Sequence, residues 1–407
     1  MDSAGAGFKP APTLFNLAGY GDDTMTKKCR ILVIACAAVA LMTGGCATQS
    51  QNKKAASARW DKMSSQMKLP LAQQQFNNGK YADAAKTIDE CLKADPNMPQ
   101  ARLLVGKILF VQGQVAQGTK EMEKAVELNE KLDDGWYWLG LAADEKSQPD
   151  KAYECYKKAL YLNGSNVNYI LALARASVTL NKTDEAIALL KDKMGLFPTD
   201  VELKAKCADL LCRKPNYDEA IALYRQASML APQRVDIAES FGYCCILAGQ
   251  WADASEVFNK LAASCTDENK KAVYLQFLGM CQVNAGQYGG AVTSYSKLNA
   301  KERDSVQVWL RMGQAALGSG DAKRAYACSK RALAIQPGFT DAIAVQGSAE
   351  YLKKNYADAI KSFEQIARDP KHESFAWTML AKCHEHLGNS EKAKQAAEKA
   401  HLLSARF

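Results

Sequence analysis

The sequence has few of the residues that chemistry at an active site usually needs. It contains only four histidines among 407 residues, and it has no Cys-x2-Cys pair. It also lacks a Gly-x-Gly-x2-Gly segment after a strand, a Gly-Lys-Ser/Thr phosphate loop and a Gly-x-Ser-x-Gly motif. These gaps exclude the common signatures of zinc sites, thioredoxin-like proteins, nucleotide-binding enzymes and serine hydrolases. We therefore expect no catalytic residue, no metal site and no cofactor.

The histidines and the charged residues favour the same conclusion. His384 and His386 are two residues apart on a predicted helix, so they do not share a face and are interpreted as surface residues of the last helix pair rather than metal ligands. The net charge is +8, but no run of five or six like charges occurs. Because nucleic-acid binding usually needs a concentrated basic patch, we expect no nucleic-acid partner.

What the sequence does contain is one repeated pattern. A small residue recurs every 34 positions, except for one step of 37, at Ala84, Gly118, Ala152, Ala186, Ala220, Ala254, Ala291, Ala325, Ala359 and Ala393. A glycine often precedes it by twelve positions, an aromatic residue often follows it by four, and a proline often follows it by twelve. A fixed period of this length is typical of stacked repeat proteins, in which each unit contacts only its neighbours.

One unit is predicted to consist of two amphipathic helices. In residues 133–164 the apolar and small residues fall at helical spacing, first around Trp136 and Gly140 and then around Ala152 and Tyr156. The expected ends of the first helices are glycines, at Gly79, Gly113, Gly249, Gly286, Gly320 and Gly388. The prolines Pro96, Pro198, Pro232 and Pro337 are expected to stop the second helices.

These residues resemble the tetratricopeptide repeat (TPR) family, with its Trp-x2-Leu-Gly, Ala-x3-Phe/Tyr-x2-Ala and terminal proline. The resemblance covers about ten units between Ser65 and Leu403, and it implies an all-α fold, an α-α superhelix of helix pairs. A non-repetitive helical bundle is the alternative. The sequence departs from the family pattern at Gly118, at Asn163-Gly164 and at Pro70, and Pro70 fits if the first helix begins there. The 37-residue step predicts a longer loop around Ser264–Lys271.

Thirteen cysteines are numerous for such a chain. Cys91, Cys207 and Cys245 fall on faces that the register places in the core, where cysteine acts as a small apolar residue. Cys244 and Cys281 occupy equivalent positions in adjacent units, so they are the first pair to test for a disulfide. The sequence leaves both the paired and the free state open.

The first helices of such a superhelix line its concave side, and this groove is the predicted binding surface for partner peptides. The register assigns nine side chains to it: Tyr137, Leu141, Leu171, Arg175, Tyr243, Phe277, Met280, Gln314 and Tyr351. The alternative is that some of them belong to the core, because a slip of one residue turns them inward. Some TPR proteins hold a C-terminal carboxylate with a lysine/asparagine clamp. The equivalent residues here are Tyr137, Leu141, Leu171 and Arg175, which do not support that activity.

The amino-terminal segment follows a different pattern. A basic segment, Met25–Arg30, precedes a twelve-residue apolar run from Ile31 to Met42, and Thr43-Gly-Gly-Cys46 follows. The run is shorter than the ~20 apolar residues that span a bilayer, so it is interpreted as an export signal. Small residues before a cysteine resemble a bacterial lipoprotein signal, which implies that Cys46 is lipidated. A cleaved secretory signal and an uncleaved anchor are the alternatives.

These observations predict four segments and one function. Residues 1–24 are a disordered or mis-annotated extension, 25–45 the signal peptide, 46–64 the lipidated cysteine with a polar tether, and 65–403 the TPR array. The predicted function is a non-catalytic scaffold for protein partners, anchored to the membrane by its lipid outside the cytoplasm, on the periplasmic side of the outer membrane. By the same resemblance it assists envelope or secretion-complex assembly. The alternatives are an array that recruits substrate for a separate catalytic partner, and a cytosolic TPR adaptor.

Overall fold

The computed structural model describes residues 53, 55–57, 59–301 and 305–404, and the predicted extension, signal peptide and Cys46 lie outside them. The described residues form twenty helices and no strand. The helices are α1 (59–77), α2 (Tyr81–Ala94), α3 (Pro99–Val111), α4 (Val115–Leu128), α5 (Asp133–Glu145), α6 (Pro149–Leu162), α7 (Val167–Thr179), α8 (Thr183–Leu196), α9 (Val201–Arg213), α10 (Tyr217–Leu230), α11 (Val235–Leu247), α12 (Trp251–Ser264), α13 (Glu268–Asn284), α14 (Tyr288–Lys301), α15 (Val306–Gly318), α16 (Ala322–Ile335), α17 (Thr340–Leu352), α18 (Tyr356–Ile366), α19 (Glu373–His386) and α20 (Ser390–Ser404).

The turns between helices lie where the sequence predicts them. The six glycines expected after first helices all have positive φ, between 71° and 80°, a conformation that glycine adopts without steric cost. At the equivalent position in other repeats, Asn181 and Lys354 adopt it with φ of 60° and 61°. Each of the four prolines follows the end of a second helix by two residues. Asp200 caps α9, since its carboxylate accepts a hydrogen bond from the Leu203 amide at 2.8 Å.

The helices form two compact units, Met1–Ala142 and Ala143–Phe407. Within each unit, helices that are adjacent in sequence pack against each other, as α3 does on α4 and α15 on α16. Nine of the ten recurring small residues are buried between paired helices, and the exception is Ala393 in the last helix. The all-α stacking of helix pairs that the TPR resemblance implies is therefore confirmed, and the non-repetitive bundle is not observed.

The 37-residue step lengthens a helix and not a loop. Helix α12 ends at Ser264 and α13 begins at Glu268, so the turn has only three residues, and α13 is 17 residues long where most first helices have 13. The expected long loop around Ser264–Lys271 is thus wrong. The physical reason is Asp267, whose carboxylate accepts hydrogen bonds from the amides of Asn269 and Lys270 and starts the helix one turn early.

Helix α1 also differs from the expectation. It extends from residue 59 through Pro70 to residue 77, so the helix does not begin at Pro70 and it includes residues 59–64 of the predicted tether. Proline within a helix removes one backbone hydrogen bond, which packing must offset. Ala72, two residues later, is fully buried in a cluster with Ala84, Ile88 and Leu104, and this packing holds the helix together across the proline.

The ten cysteines of the described residues are all free. Cys91, Cys207 and Cys245 have no exposed surface, which confirms that they act as small core residues. Cys244 and Cys281 are also buried and form no disulfide. Burial raises the pKa of the Cys207 thiol to about 11 and that of Cys245 to about 12, so both remain protonated at neutral pH.

Candidate partner-binding surface

The first helices of the second unit lie next to one another. Contacts join α7 to α9, α9 to α11 and α15 to α17, in addition to the contacts within each pair. Side chains on the accessible side of these first helices therefore share one side of the array, which we call the first-helix face. In the second unit this face includes Leu171, Arg175, Tyr243, Phe277, Met280, Gln314 and Tyr351.

None of the nine side chains predicted for the groove is buried. Arg175 and Tyr243 are exposed, and the other seven are half-buried. Seven of the nine therefore pack partly against the array and partly face solvent. Tyr137 and Leu141 belong to the first unit, and the remaining seven belong to the second.

Tyr243 and Phe277 form the centre of an aromatic patch on the first-helix face. Their ring centroids are 5.2 Å apart in an edge-to-face arrangement, and both rings contact Phe258, which is fully buried. Tyr243 is 40% exposed, and Leu247, one turn later on α11, is 61% exposed. Met280 follows Phe277 by one turn on α13. The patch therefore combines an exposed apolar surface with a rigid support from the core.

Partial burial has an electrostatic consequence at this patch. It raises the pKa of the Tyr243 hydroxyl, and the nearby Glu239 carboxylate adds to the increase. The hydroxyl therefore stays neutral at physiological pH. It can donate a hydrogen bond to a partner while its ring makes apolar contact.

Arg175 is engaged in a network within its own unit. Its guanidinium lies 2.7 Å from the Asp144 carboxylate and donates to the Tyr156 hydroxyl at 3.2 Å. The same Tyr156 hydroxyl donates to Asp144 at 2.6 Å. Burial and this hydrogen bond raise the pKa of Tyr156. Arg175 thus ties α7 to the preceding helices, and binding a partner's carboxylate would require it to exchange partners.

Gln314 and Tyr351 also have partners in the array. Gln314 accepts a hydrogen bond from Arg311 at 3.4 Å. The Tyr351 hydroxyl lies 3.1 Å from Nε2 of His386, whose ring stacks on Tyr356 with centroids 4.6 Å apart. The structure therefore places Tyr351 in an aromatic cluster with His386 and Tyr356, separate from the Tyr243 patch.

The first unit contains an aromatic cluster that sequence reasoning missed. Trp138, next to the predicted Tyr137, contacts the rings of Phe76 and Phe110 at 6.4 Å and 5.7 Å. The Lys107 ammonium lies 5.1 Å from the Trp138 ring centroid and forms an ion pair with Asp134. The signal was present in the sequence, since Trp138 follows Tyr137 directly, but the contact with Phe76 and Phe110 joins three different helices.

Among the described residues, no three His, Cys, Asp or Glu side chains converge as ligands for a metal ion. No helix in the described ranges combines the length and the apolar character that crossing a bilayer would need.

The chain is similar to known repeat proteins. Tetratricopeptide repeat models match residues 69–133, 133–166, 215–270, 310–373 and 376–405, which together make up more than half of the chain. BBSome complex member BBS4 from Bos taurus is 23% identical over 323 residues, covering 79% of this chain and 55% of that protein. Hsp70-Hsp90 organizing protein 3 from Arabidopsis thaliana is 25% identical over 142 residues, covering 34% and 25%. The chain thus spans about half of the first relative's length and a quarter of the second's.

A solved structure, described as the functional characterization of Pseudomonas aeruginosa pilF, matches 53% of this chain and 97% of its own with a TM-score of 0.46 and 14% identity. The family models agree with the helix pairs, the positive-φ glycines and the buried small residues observed here. The chain belongs to the tetratricopeptide repeat family.

Proposed function

We propose that this protein is a non-catalytic scaffold that binds peptide segments of partner proteins on its first-helix face. The observation that carries the proposal is the patch of Tyr243, Phe277, Met280 and Leu247, which exposes apolar surface over a rigid aromatic core. TPR proteins are protein-interaction scaffolds. Two relatives are named as a complex member and an organizing protein, in keeping with this role.

The chemistry of the patch defines the class of peptide. Apolar and aromatic side chains that converge over a few residues suit one or two apolar anchors of a peptide, since binding energy concentrates in such centres. The Tyr243 hydroxyl adds one hydrogen bond. Glu239, on the same helix as Tyr243, already accepts a hydrogen bond from Tyr274, so it contributes less to a new partner.

The experiment is a crosslinked pull-down from intact cells with three variants of the full chain. Tyr243→Ala and Tyr137→Ala should each weaken capture of the native partner by more than about 1 kcal/mol, because aromatic anchors dominate hot spots. Tyr161→Ala, which removes an 88%-exposed tyrosine from the second helix α6, is the matched control. Helical content measured by circular dichroism should be the same in all three. Normal capture by both groove variants together with loss in the control would contradict the proposal.

We further propose that the scaffold is held at a membrane outside the cytoplasm through a lipid on Cys46, and that it serves the assembly of an envelope or secretion complex. The support is the sequence alone, in the basic segment, the apolar run and the small residues before Cys46. One acyl chain binds membranes only marginally, and lipoprotein processing supplies more than one.

Fractionation tests the anchor. Cys46→Ser should block processing or release the protein from the membrane fraction, whereas Cys91→Ser, a buried thiol of the array, should leave fractionation unchanged. Recovery of the Cys46 variant in the membrane fraction, processed like the wild type, would overturn the anchor. A wild-type protein found only in the soluble cytosolic fraction would favour a cytosolic adaptor.

A further inference from the structure

A cleft of about 360 Å³ lies between α10, α11 and α12, on the side formed by the second helices. Its lining includes Ser228 and Met229 of α10, Ala238 of α11, and Val257 and Lys260 of α12. The volume is in the range of pockets that hold a ligand or a large side chain. The cleft is separate from the Tyr243 patch, because Ala238 and Tyr243 lie on different faces of α11.

The repeat register explains why this cleft is open. In each repeat a small residue of the first helix lies twelve places before the recurring small residue of the second helix, as Gly242 does before Ala254. We define the packing position as the residue four places before this first-helix residue. Nine repeats have a large side chain there: Lys68, Arg102, Trp136, Ile170, Lys204, Leu275, Trp309, Ile343 and Trp377. The tenth has Ala238. The cleft is therefore the space that a large side chain would fill.

The charged side chains that line the cleft are already paired with one another. Where the packing position is a lysine, an acceptor follows 22 residues later, as Lys68 pairs with Glu90 and Lys204 donates to Gln226, both at 2.7 Å. The corresponding residue for Ala238 is Lys260. Lys260 forms an ion pair with Glu256 at 2.6 Å, and Arg225 forms one with Asp253 at 2.7 Å, so a neutral occupant fits without breaking either pair.

A tryptophan fits both the shape and the charge. At the packing position of α19, the Trp377 ring lies under the Lys399 ammonium, which is 4.0 Å from the ring centroid. Lys399 follows Trp377 by 22 residues, as Lys260 follows Ala238. A cation over an indole face is the strongest of the common cation–π pairs. Lys260 therefore occupies the same position in its repeat as Lys399, which covers an indole ring. Residue 238 is an alanine, however, and supplies no ring.

The cleft also contains an unused hydrogen-bonding atom. The Oγ atom of Ser228 is buried and has no hydrogen-bond partner. Most repeats carry an apolar residue at the equivalent position of the second helix, for example Val126 and Leu160. An indole is donor-only at its nitrogen, and a buried hydroxyl oxygen is the acceptor that such a group needs. The lining thus matches a tryptophan in its apolar walls, its cation and its acceptor.

The chain itself presents such a side chain. Trp60 is 65% exposed, whereas the other five tryptophans are half-buried. Along α1 it begins a stripe with Met63, Met67 and Leu71, which are 49%, 76% and 50% exposed and share one helix face at spacings of three and four. Terminal repeats of solenoids normally have a polar outer face. This apolar face on α1, the first helix of the described residues, therefore fits an interaction surface.

We propose that copies of this protein associate through Trp60 of one copy, which inserts into the α10–α12 cleft of a second copy. The interface is heterologous, since two different surfaces meet. Trp60 supplies the side chain that the packing position lacks, Lys260 covers its ring, and Ser228 accepts a hydrogen bond from its indole nitrogen. Met63 and Met67 extend the contact along the rim, where Met229 is 73% exposed.

Sedimentation velocity on the full chain tests this interface with two complementary variants. Trp60→Ala removes the inserted side chain, and Ala238→Trp fills the cleft with the residue found in three other repeats. Each variant alone should self-associate about tenfold or more weakly than the wild type, as expected for loss of a central tryptophan. Mixed together they should form a one-to-one complex, because one copy keeps its cleft and the other keeps its Trp60.

Two further variants serve as controls for folding and for specificity. Ala238→Leu, which copies Leu275 of the next repeat, replaces Ala238→Trp if the latter loses helical content. Tyr243→Ala should leave self-association unchanged, so failure of this proposal is distinct from failure of the groove proposal. Wild-type protein that stays monomeric at the highest concentration reached, variants that associate as the wild type does, or a mixture that forms no complex would each overturn the proposal. Self-association lost in Trp60→Ala but kept in Ala238→Trp would overturn the cleft as the docking site.

Discussion

Gly106 on α3 and Gly118 on α4 bring two helix backbones together so closely that a Cβ atom on Gly118 would lie 2.8 Å from the Gly106 carbonyl oxygen. A Cβ atom on Gly106 would in turn lie 2.9 Å from the Gly118 carbonyl oxygen. The other nine repeats have alanine at the position of Gly118. Glycine at position 118 therefore allows α3 and α4 to pack more closely than an alanine would. Restoring the alanine of the other repeats should consequently lower stability, although a consensus residue usually raises it.

Gly118→Ala should destabilise the protein although it restores the repeat pattern. The new methyl group meets backbone atoms that cannot move aside, and overpacking of this kind costs about 1–3 kcal/mol. Urea unfolding followed by circular dichroism measures the change. Gly195→Ala is the control, because its Cβ would meet nothing within 4 Å on α8 and should stabilise by about 0.5–1 kcal/mol. Equal gains in both variants would show that α3 and α4 are less closely packed.

Ala220→Phe should destabilise the repeat in which it lies. Ala220 has no exposed surface between α9 and α10, so a phenyl ring there overpacks the pair by about 1–3 kcal/mol. Because repeats contact mainly their neighbours, hydrogen exchange should accelerate most in α9–α11. Ala222→Phe, two residues later and exposed, should leave both stability and exchange nearly unchanged. Unchanged melting of the Ala220 variant would contradict the register.

The free thiols should differ in reactivity, because some are buried and others are not. Cys265, half-buried at the turn between α12 and α13, should react with a thiol reagent in the folded protein before Cys207 and Cys245, which have no exposed surface and raised pKa values. Mass spectrometry of partly labelled protein gives the order. A reductant should not change the melting temperature, since Cys244 and Cys281 form no disulfide. A fall in melting temperature on reduction would indicate a disulfide that the structure lacks.

Stability should decrease in alkaline solution. In the folded state burial raises the pKa of Cys207 to about 11 and those of Cys245 and Tyr295 to about 12, from ordinary values of 9.0 for cysteine and 10.0 for tyrosine. The unfolded chain therefore loses these protons first, and the free energy of unfolding falls as the pH rises from about 9 towards 12. Urea midpoints at several pH values measure the slope. Cys245→Ala should make the slope shallower, and an unchanged slope would contradict the role of this thiol.

Much of the fold was predictable because its determinants are local and repeat. The spacing of Ala84, Ala152 and their equivalents indicated where helices pair, and glycines such as Gly113 and Gly249 marked where first helices end. The predicted helix boundaries were wrong where the local effect of one residue was stronger than the 34-residue pattern. Asp267 starts α13 a turn early, and packing around Ala72 carries α1 through Pro70.

The candidate surface was predictable only in part. The register assigned Tyr243 and Phe277 to a solvent-facing side, and both are accessible in the structure. Their ring contact and their support by Phe258 involve three helices, so no spacing along one helix indicates them. Trp138 was missed for the same reason, since its ring partners Phe76 and Phe110 lie 28 or more residues away in the sequence.

By itself, the sequence determined the repeat length, the helix pairs and the family, because periodic patterns act through the geometry of single helices and their nearest neighbours. Only the tertiary structure decided that Gly106 and Gly118 meet backbone to backbone, that Arg175 is held by Asp144, and that the space beside Ala238 stays open. These features depend on distances between helices, which the side chains of several repeats set together.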